Sequence, residues 1–127
     1  MAKNIIKLNR GDSYEFPVSI PKQFYASEEH ILTGSDLVCF AVLYPHQRFE
    51  DATIVFNGYG PSELISGTDE IRIEILPKYT VDLAPGVYYY TVKLFSGITF
   101  EENGTPKLKS AKAVRTLIER TKFIINE

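Results

Sequence analysis

The clearest alternation in the chain runs through residues 13–20, where Tyr14, Phe16, Val18 and Ile20 share one parity and Ser13, Glu15 and Ser19 the other. A period of two predicts a half-buried β-strand. The same pattern returns at 70–76, with Ile71, Ile73 and Ile75 facing in and Glu70, Arg72 and Glu74 facing out. Residues 36–44 are apolar on both parities, as in a central strand covered on both faces. Pro85-Gly86 marks a corner that feeds Val87-Tyr88-Tyr89-Tyr90-Thr91-Val92-Lys93-Leu94. Tyr88, Tyr90, Val92 and Leu94 take the inner parity of that strand. The other parity ends in Lys93, so that face is expected to run out to solvent.

Shorter pieces fill in the plan. Residues 4–9 predict a first strand and Arg10-Gly11-Asp12 a turn. Pro17 marks an edge or a bulge, because proline donates nothing to a ladder. A short strand is expected at 52–56, ended by Asn57-Gly58 and Gly60-Pro61, and one helical turn at 77–82. The last strand, 113–125, changes parity: Val114, Thr116 and Ile118 match one register, Phe123 and Ile125 the other. A bulge near Glu119-Arg120 reconciles them. Together these predict an all-β domain spanning 1–127: an immunoglobulin-like antiparallel β-sandwich of about seven strands, with Phe16, Phe40, Tyr88, Tyr90 and Phe123 in its core.

Residues 98–110 exceed what a connection between two strands needs. Asn103-Gly104 is a strong hairpin signal, with Ile98 and Phe100 on one limb and Leu108 on the other. The segment is expected to project as a hairpin arm, making Ile98, Phe100 and Leu108 candidates for contact with another subunit. The alternative is an arm folded back over its own sandwich.

Bulk properties narrow the class of protein. A chain of 127 residues with 44% hydrophobic and 24% charged residues is expected to form one soluble domain. The formal charge of −2 favours neither nucleic acid nor an anionic membrane. The single cysteine, Cys39, leaves no internal disulfide, and no apolar run reaches the ~20 residues of a membrane span. The N-terminus lacks a signal-peptide pattern, so synthesis in the cytosol is expected.

Candidate chemistry is sparse. Arg10-Gly11-Asp12 is the tripeptide that integrins read, and equally what a turn between strands looks like. His30, His46 and Cys39 offer no close ligand pair for zinc. The doublets Glu28-Glu29, Glu50-Asp51, Asp69-Glu70 and Glu101-Glu102 lack the spacing of a calcium loop and read as solvated loop charge. No nucleophile elbow, phosphate loop or dinucleotide pattern occurs, so no enzyme activity and no cofactor are expected. Lys107, Lys109, Lys112, Arg115, Arg120 and Lys122 make the C-terminal region basic, but aromatic residues for stacking nucleic-acid bases are missing. A host-surface carbohydrate-binding sandwich needs exposed loop aromatics, for which Tyr25, Phe49 and Tyr59 are the candidates.

Three stretches carry a resemblance. They are Leu8-Asn9-Arg10-Gly11-Asp12-Ser13 ahead of the aromatic-alternating strand, the run from Val42 to Ala52, and Leu83-Ala84-Pro85-Gly86-Val87-Tyr88-Tyr89-Tyr90 with the late Thr116-Leu117 and Thr121-Lys122-Phe123-Ile124. This set resembles small structural proteins of tailed bacteriophages, especially the N-terminal domain of the upper baseplate protein family. The resemblance implies an immunoglobulin-like sandwich in the virion, made in the host bacterial cytoplasm, non-enzymatic and bound to other virion proteins, in repeated copies or as a homo-oligomer. The chain departs from the baseplate pattern in ending at Glu127 after the closing strand, so a receptor-binding role is not among the expectations taken from the resemblance. Capsid decoration or anchoring of a head fibre is the alternative placement.

Overall fold

The structure, a computed structural model, describes residues 5–127. Its elements are β1 (Ile6–Asn9), β2 (Tyr14–Ser19), β3 (Leu37–Leu43), β4 (Val55–Tyr59), β5 (Glu70–Ile75), the one-turn helix α1 (Pro77–Thr80), β6 (Gly86–Ser96), β7 (Thr99–Phe100), β8 (Pro106–Lys107) and β9 (Ala113–Asn126). Five strands form one sheet in the order β1-β9-β6-β3-β4, β2 and β5 pair as a second layer, and β7 and β8 form a small separate ribbon. The fold is all-β and sandwich-like. Asn4, expected in the first strand, lies outside the described residues.

The core follows from the alternation. Ile71, Ile73 and Ile75 of β5 and Val18 of β2 are buried in one cluster with Phe40 and Val42 of β3, Tyr88, Tyr90, Val92 and Leu94 of β6, and Phe123 and Ile125 of β9. Each such aliphatic side chain stabilises the fold by roughly 1.5–3 kcal/mol relative to exposure. Phe16 is half-buried and joins the two layers, its ring 6.1 Å from Phe40 and 5.8 Å from Tyr90. Exposure along β2 is graded: Ile20 just beyond it is fully buried, Phe16 intermediate, and Tyr14 open to solvent.

The bulge expected near Glu119-Arg120 is present. Tyr90 pairs with Thr121 and Val92 with Ile118, so β9 has one residue more than β6 across that step; a second shift follows before Lys93 and Thr116. Thr91 Oγ1 donates to the Ile118 carbonyl at 2.7 Å and Thr121 Oγ1 to the Glu119 carbonyl at 2.6 Å. These hydroxyls satisfy carbonyls at the irregular step, as buried backbone groups require.

Two expectations need correction. Among the described strands the pairing is antiparallel except at β1, which runs parallel to β9; its short length and the Arg10–Asp12 turn send the chain across to β2. The strand expected at 52–56 begins later and runs through Asn57-Gly58, which pair with Phe40 and Cys39. β4 is an edge strand, and backbone pairing to β3 carries it through a glycine that propensity reads as a break.

Candidate functional site

The large sheet has an outer face, opposite the main core, carrying Lys7, Val87, Tyr89, Thr91, Lys93, Phe95, Thr116, Lys122 and Ile124 by register. Over β3 that face is covered by a second, smaller core. Cys39, Ala41, Leu43, Phe49, Phe95 and Ile98 cluster there, with Leu37, Ala52, Leu108 and Ala111 packed against them. Phe49 comes from the loop after β3 and is only 7% exposed, its ring 5.8 Å from Phe95 and 5.1 Å from Phe56. Lys93 lies over the same ring, with Nζ 4.9 Å from its centroid. The outer parity therefore does not simply run out to solvent: Thr91 and Phe95 are buried, while Val87 is exposed.

Arg120 fastens that loop. Its Nη1 donates to the Gln47 carbonyl at 2.8 Å, and its Nη2 to the Tyr44 and Pro45 carbonyls at 3.0 and 2.6 Å. The guanidinium stacks on Tyr89 at 4.8 Å. Within the loop, Gln47 accepts from the Tyr44 amide and donates to the Asp51 carbonyl and the Thr53 hydroxyl. Phe49 and Arg120 were not singled out by sequence reasoning for these roles. The only sequence signal for Arg120 is the expected bulge, which frees a bulged side chain to turn across the face.

The arm is anchored rather than free along its length. Ile98, expected on an exposed limb, is 3% exposed within the second core, and Leu108 is half-buried against it. The Ile98 amide donates to the Ser35 carbonyl at 2.9 Å, and buried Asp36 accepts from the Gly97 amide at 3.2 Å. Asp36 also holds Thr33 through its amide and hydroxyl. Burying Ile98 shields the thiol edge of β3, a gain that an isolated ribbon in water lacks. Phe100, by contrast, is 42% exposed. The tip closes where Asn103-Gly104 predicts: Gly104 takes φ +87°, a left-handed conformation that glycine adopts without steric cost. Its amide donates to the Glu101 carbonyl at 2.9 Å.

Other singled-out residues serve internal structure. Arg10 pairs with Glu127 at 3.1 Å, Asp12 accepts from the Asn9 amide, and the Gly11 amide donates to the buried Thr80 hydroxyl. The tripeptide is thus a turn strapped to α1. Tyr25 donates to Asp69, and the Tyr59 hydroxyl accepts from the Glu74 amide. With Phe49 buried and Tyr59 closing β4 rather than lying on a loop, the three aromatics do not form a common exposed platform. Burial pushes the Cys39 thiol up to about 12 and the Tyr90 phenol likewise to about 12. Among the described residues, no group of three or more His, Cys, Asp or Glu gathers as a metal site requires, and no helix is long and apolar enough to cross a membrane.

What remains on the outer face is a depression of about 300 Å³ lined by Leu43, Phe49, Thr91, Lys93, Thr116, Glu119 and Arg120. Its walls hold no nucleophile beside a base, and its charge comes mainly from two cations. Comparison of the chain with protein-family models, with curated proteins and with solved structures finds no match.

Proposed function

We propose that this chain is a non-enzymatic structural module of a tailed-bacteriophage virion, placed at the baseplate or tail, that works by binding other virion subunits. The observation that carries this reading is where its resembling stretches lie in the fold. Residues 8–13 form the turn strapped to α1, 42–52 include the loop fastened by Arg120, 83–90 lead into β6, and 116–124 run through the bulged part of β9. These are framework positions, as expected of a module whose role is to present surfaces. Arg10, Asp12, Gln47, Arg48, Tyr88 and Thr121 at these positions bond within the chain, an arrangement suited to holding a rigid shape. Capsid decoration or head-fibre anchoring requires the same chemistry at another place in the particle.

The reading is tested by deleting the coding sequence from the phage genome and supplying the chain in trans. Particles that fail to complete assembly without it, and are rescued by the wild-type chain, support a structural role. Normal assembly and infectivity in its absence defeat it.

A further inference from the structure

We propose that the acidic hairpin tip of one copy, Glu101 and Glu102, docks at the cationic depression between Lys93 and Arg120 on a second copy, so that identical chains associate head to tail. The proposal deepens the virion-module reading and rests on it for its setting.

The tip is exposed and preorganised. The Glu101 amide donates to the Thr105 carbonyl at 2.8 Å, and the Thr105 amide to Asn103 Oδ1 at 3.0 Å. A tip already ordered in the monomer loses less entropy on docking. Among the described residues, neither Glu101 nor Glu102 has a cationic partner.

The acceptor surface has the opposite imbalance. Among the described residues, Lys93 has no carboxylate partner and the Arg120 guanidinium bonds to carbonyl oxygens rather than to a carboxylate. Lys122 and Lys7 lie on the same face by register, and Thr116 adds a hydroxyl. One carboxylate, Glu119, shares the wall. Exposed Phe100 at the base of the tip and exposed Val114 at the end of the acceptor face supply apolar contact.

The tip does not pair with Lys93 of its own chain, and its two carboxylates are opposite in sign to the Lys93 and Arg120 charges that a second copy presents. Among the other acidic doublets, Glu50 and Asp51 already meet Arg48, and Asp69 and Glu70 accept from Tyr25 and Ser19. Glu28 and Glu29 are the remaining rival. Because tip and depression are different surfaces, the contact is heterologous and builds rings or filaments rather than closed two-fold pairs.

The test is sedimentation velocity on the full chain over a concentration series. The wild type is expected to associate at about 0.05 M salt and to lose at least tenfold in association constant at about 0.5 M, as screening shortens the Debye length. Glu101→Lys/Glu102→Lys and Lys93→Glu/Lys122→Glu are each expected to be monomeric alone, and their equimolar mixture to associate again, because each tip then meets a face of opposite sign. A monomeric wild type, an unaltered variant or a mixture that stays monomeric overturns the proposal; so does loss of association only with Glu28→Lys/Glu29→Lys. Thermal melts check folding, and Glu→Gln and Lys→Gln variants replace any that unfolds. Particle incorporation is read separately: a chain that enters particles with the contact disproved leaves the virion reading standing.

Discussion

Replacing Tyr90 with alanine tests the main core at its most connected ring. Tyr90 is 1% exposed and lies 5.8 Å from Phe16, 6.2 Å from Phe40 and 6.5 Å from Phe123, so it joins β2, β3 and β9. Truncating a buried aromatic costs about 3–5 kcal/mol, transfer and cavity terms together. Unfolding entropy of ~2.1 cal/mol/K per residue over 127 residues converts that to a fall in Tm of about 11–19 °C. Tyr89, one residue earlier, points to the outer face under Arg120. Its truncation removes partial burial and a cation–π contact, worth about 1 kcal/mol or ~4 °C. Thermal denaturation followed by circular dichroism, with urea titration to check that the slope is unchanged, separates the two. If Tyr90→Ala melts within a few degrees of the wild type, or Tyr89→Ala is the more damaging, the assignment of faces on β6 is wrong.

Further outcomes follow from the second core and from burial. Ile98→Ala is expected to lower stability by about 2–4 kcal/mol, whereas Phe100→Ala changes it by less than about 0.5 kcal/mol; equal effects in urea titrations contradict an anchored arm with an exposed limb. Arg120→Met keeps the stem and loses three bonds to carbonyls, an expected cost of about 1–2 kcal/mol at this exposed position, with faster amide exchange in residues 44–51 than elsewhere; uniform exchange refutes the clamp. Cys39 is expected to resist thiol reagents in the native state, and labelling as fast as in urea contradicts its burial. Above about pH 9 the unfolded thiol ionises, and above about pH 10 the unfolded phenol, while both folded groups hold their protons to about 12. The unfolded chain then binds fewer protons, so stability falls as pH rises through that window and is indifferent to these two groups below it. Cys39→Ala should remove the early part of the fall, and an unchanged profile refutes the thiol's share.

The strands whose own side chains record their burial were legible in the sequence. Ile71, Ile73 and Ile75 announce a one-sided strand and residues 38–43 a two-sided one. The bulge read from a parity change in β9 is joined by a second shift, so Val114 and Thr116 lie on the outer face and, of the three residues expected in one register, only Ile118 takes the inner face that Phe123 resumes across the bulge. What stayed hidden depends on partners distant in the chain. No local pattern tells β1 to lie parallel to β9. Asn57-Gly58 reads as a break until β3 supplies its pairing. Phe49 looks like a loop aromatic and Ile98 like an exposed arm residue because the cover each gives the other exists only after the loop and the arm converge on Cys39 and Leu43. Arg120 reads as one cation of a basic C-terminal region, and its place at the bulge lets it reach the carbonyls of the loop after β3.

The central claim, that this chain is a subunit of a phage particle, is tested most directly by peptide mass spectrometry of particles purified by density gradient from cells that carry its gene. The account predicts that its peptides band with the particles, survive a high-salt wash and keep a fixed ratio to the other structural proteins across preparations. Peptides confined to the soluble lysate, with none in the washed particles, would contradict it.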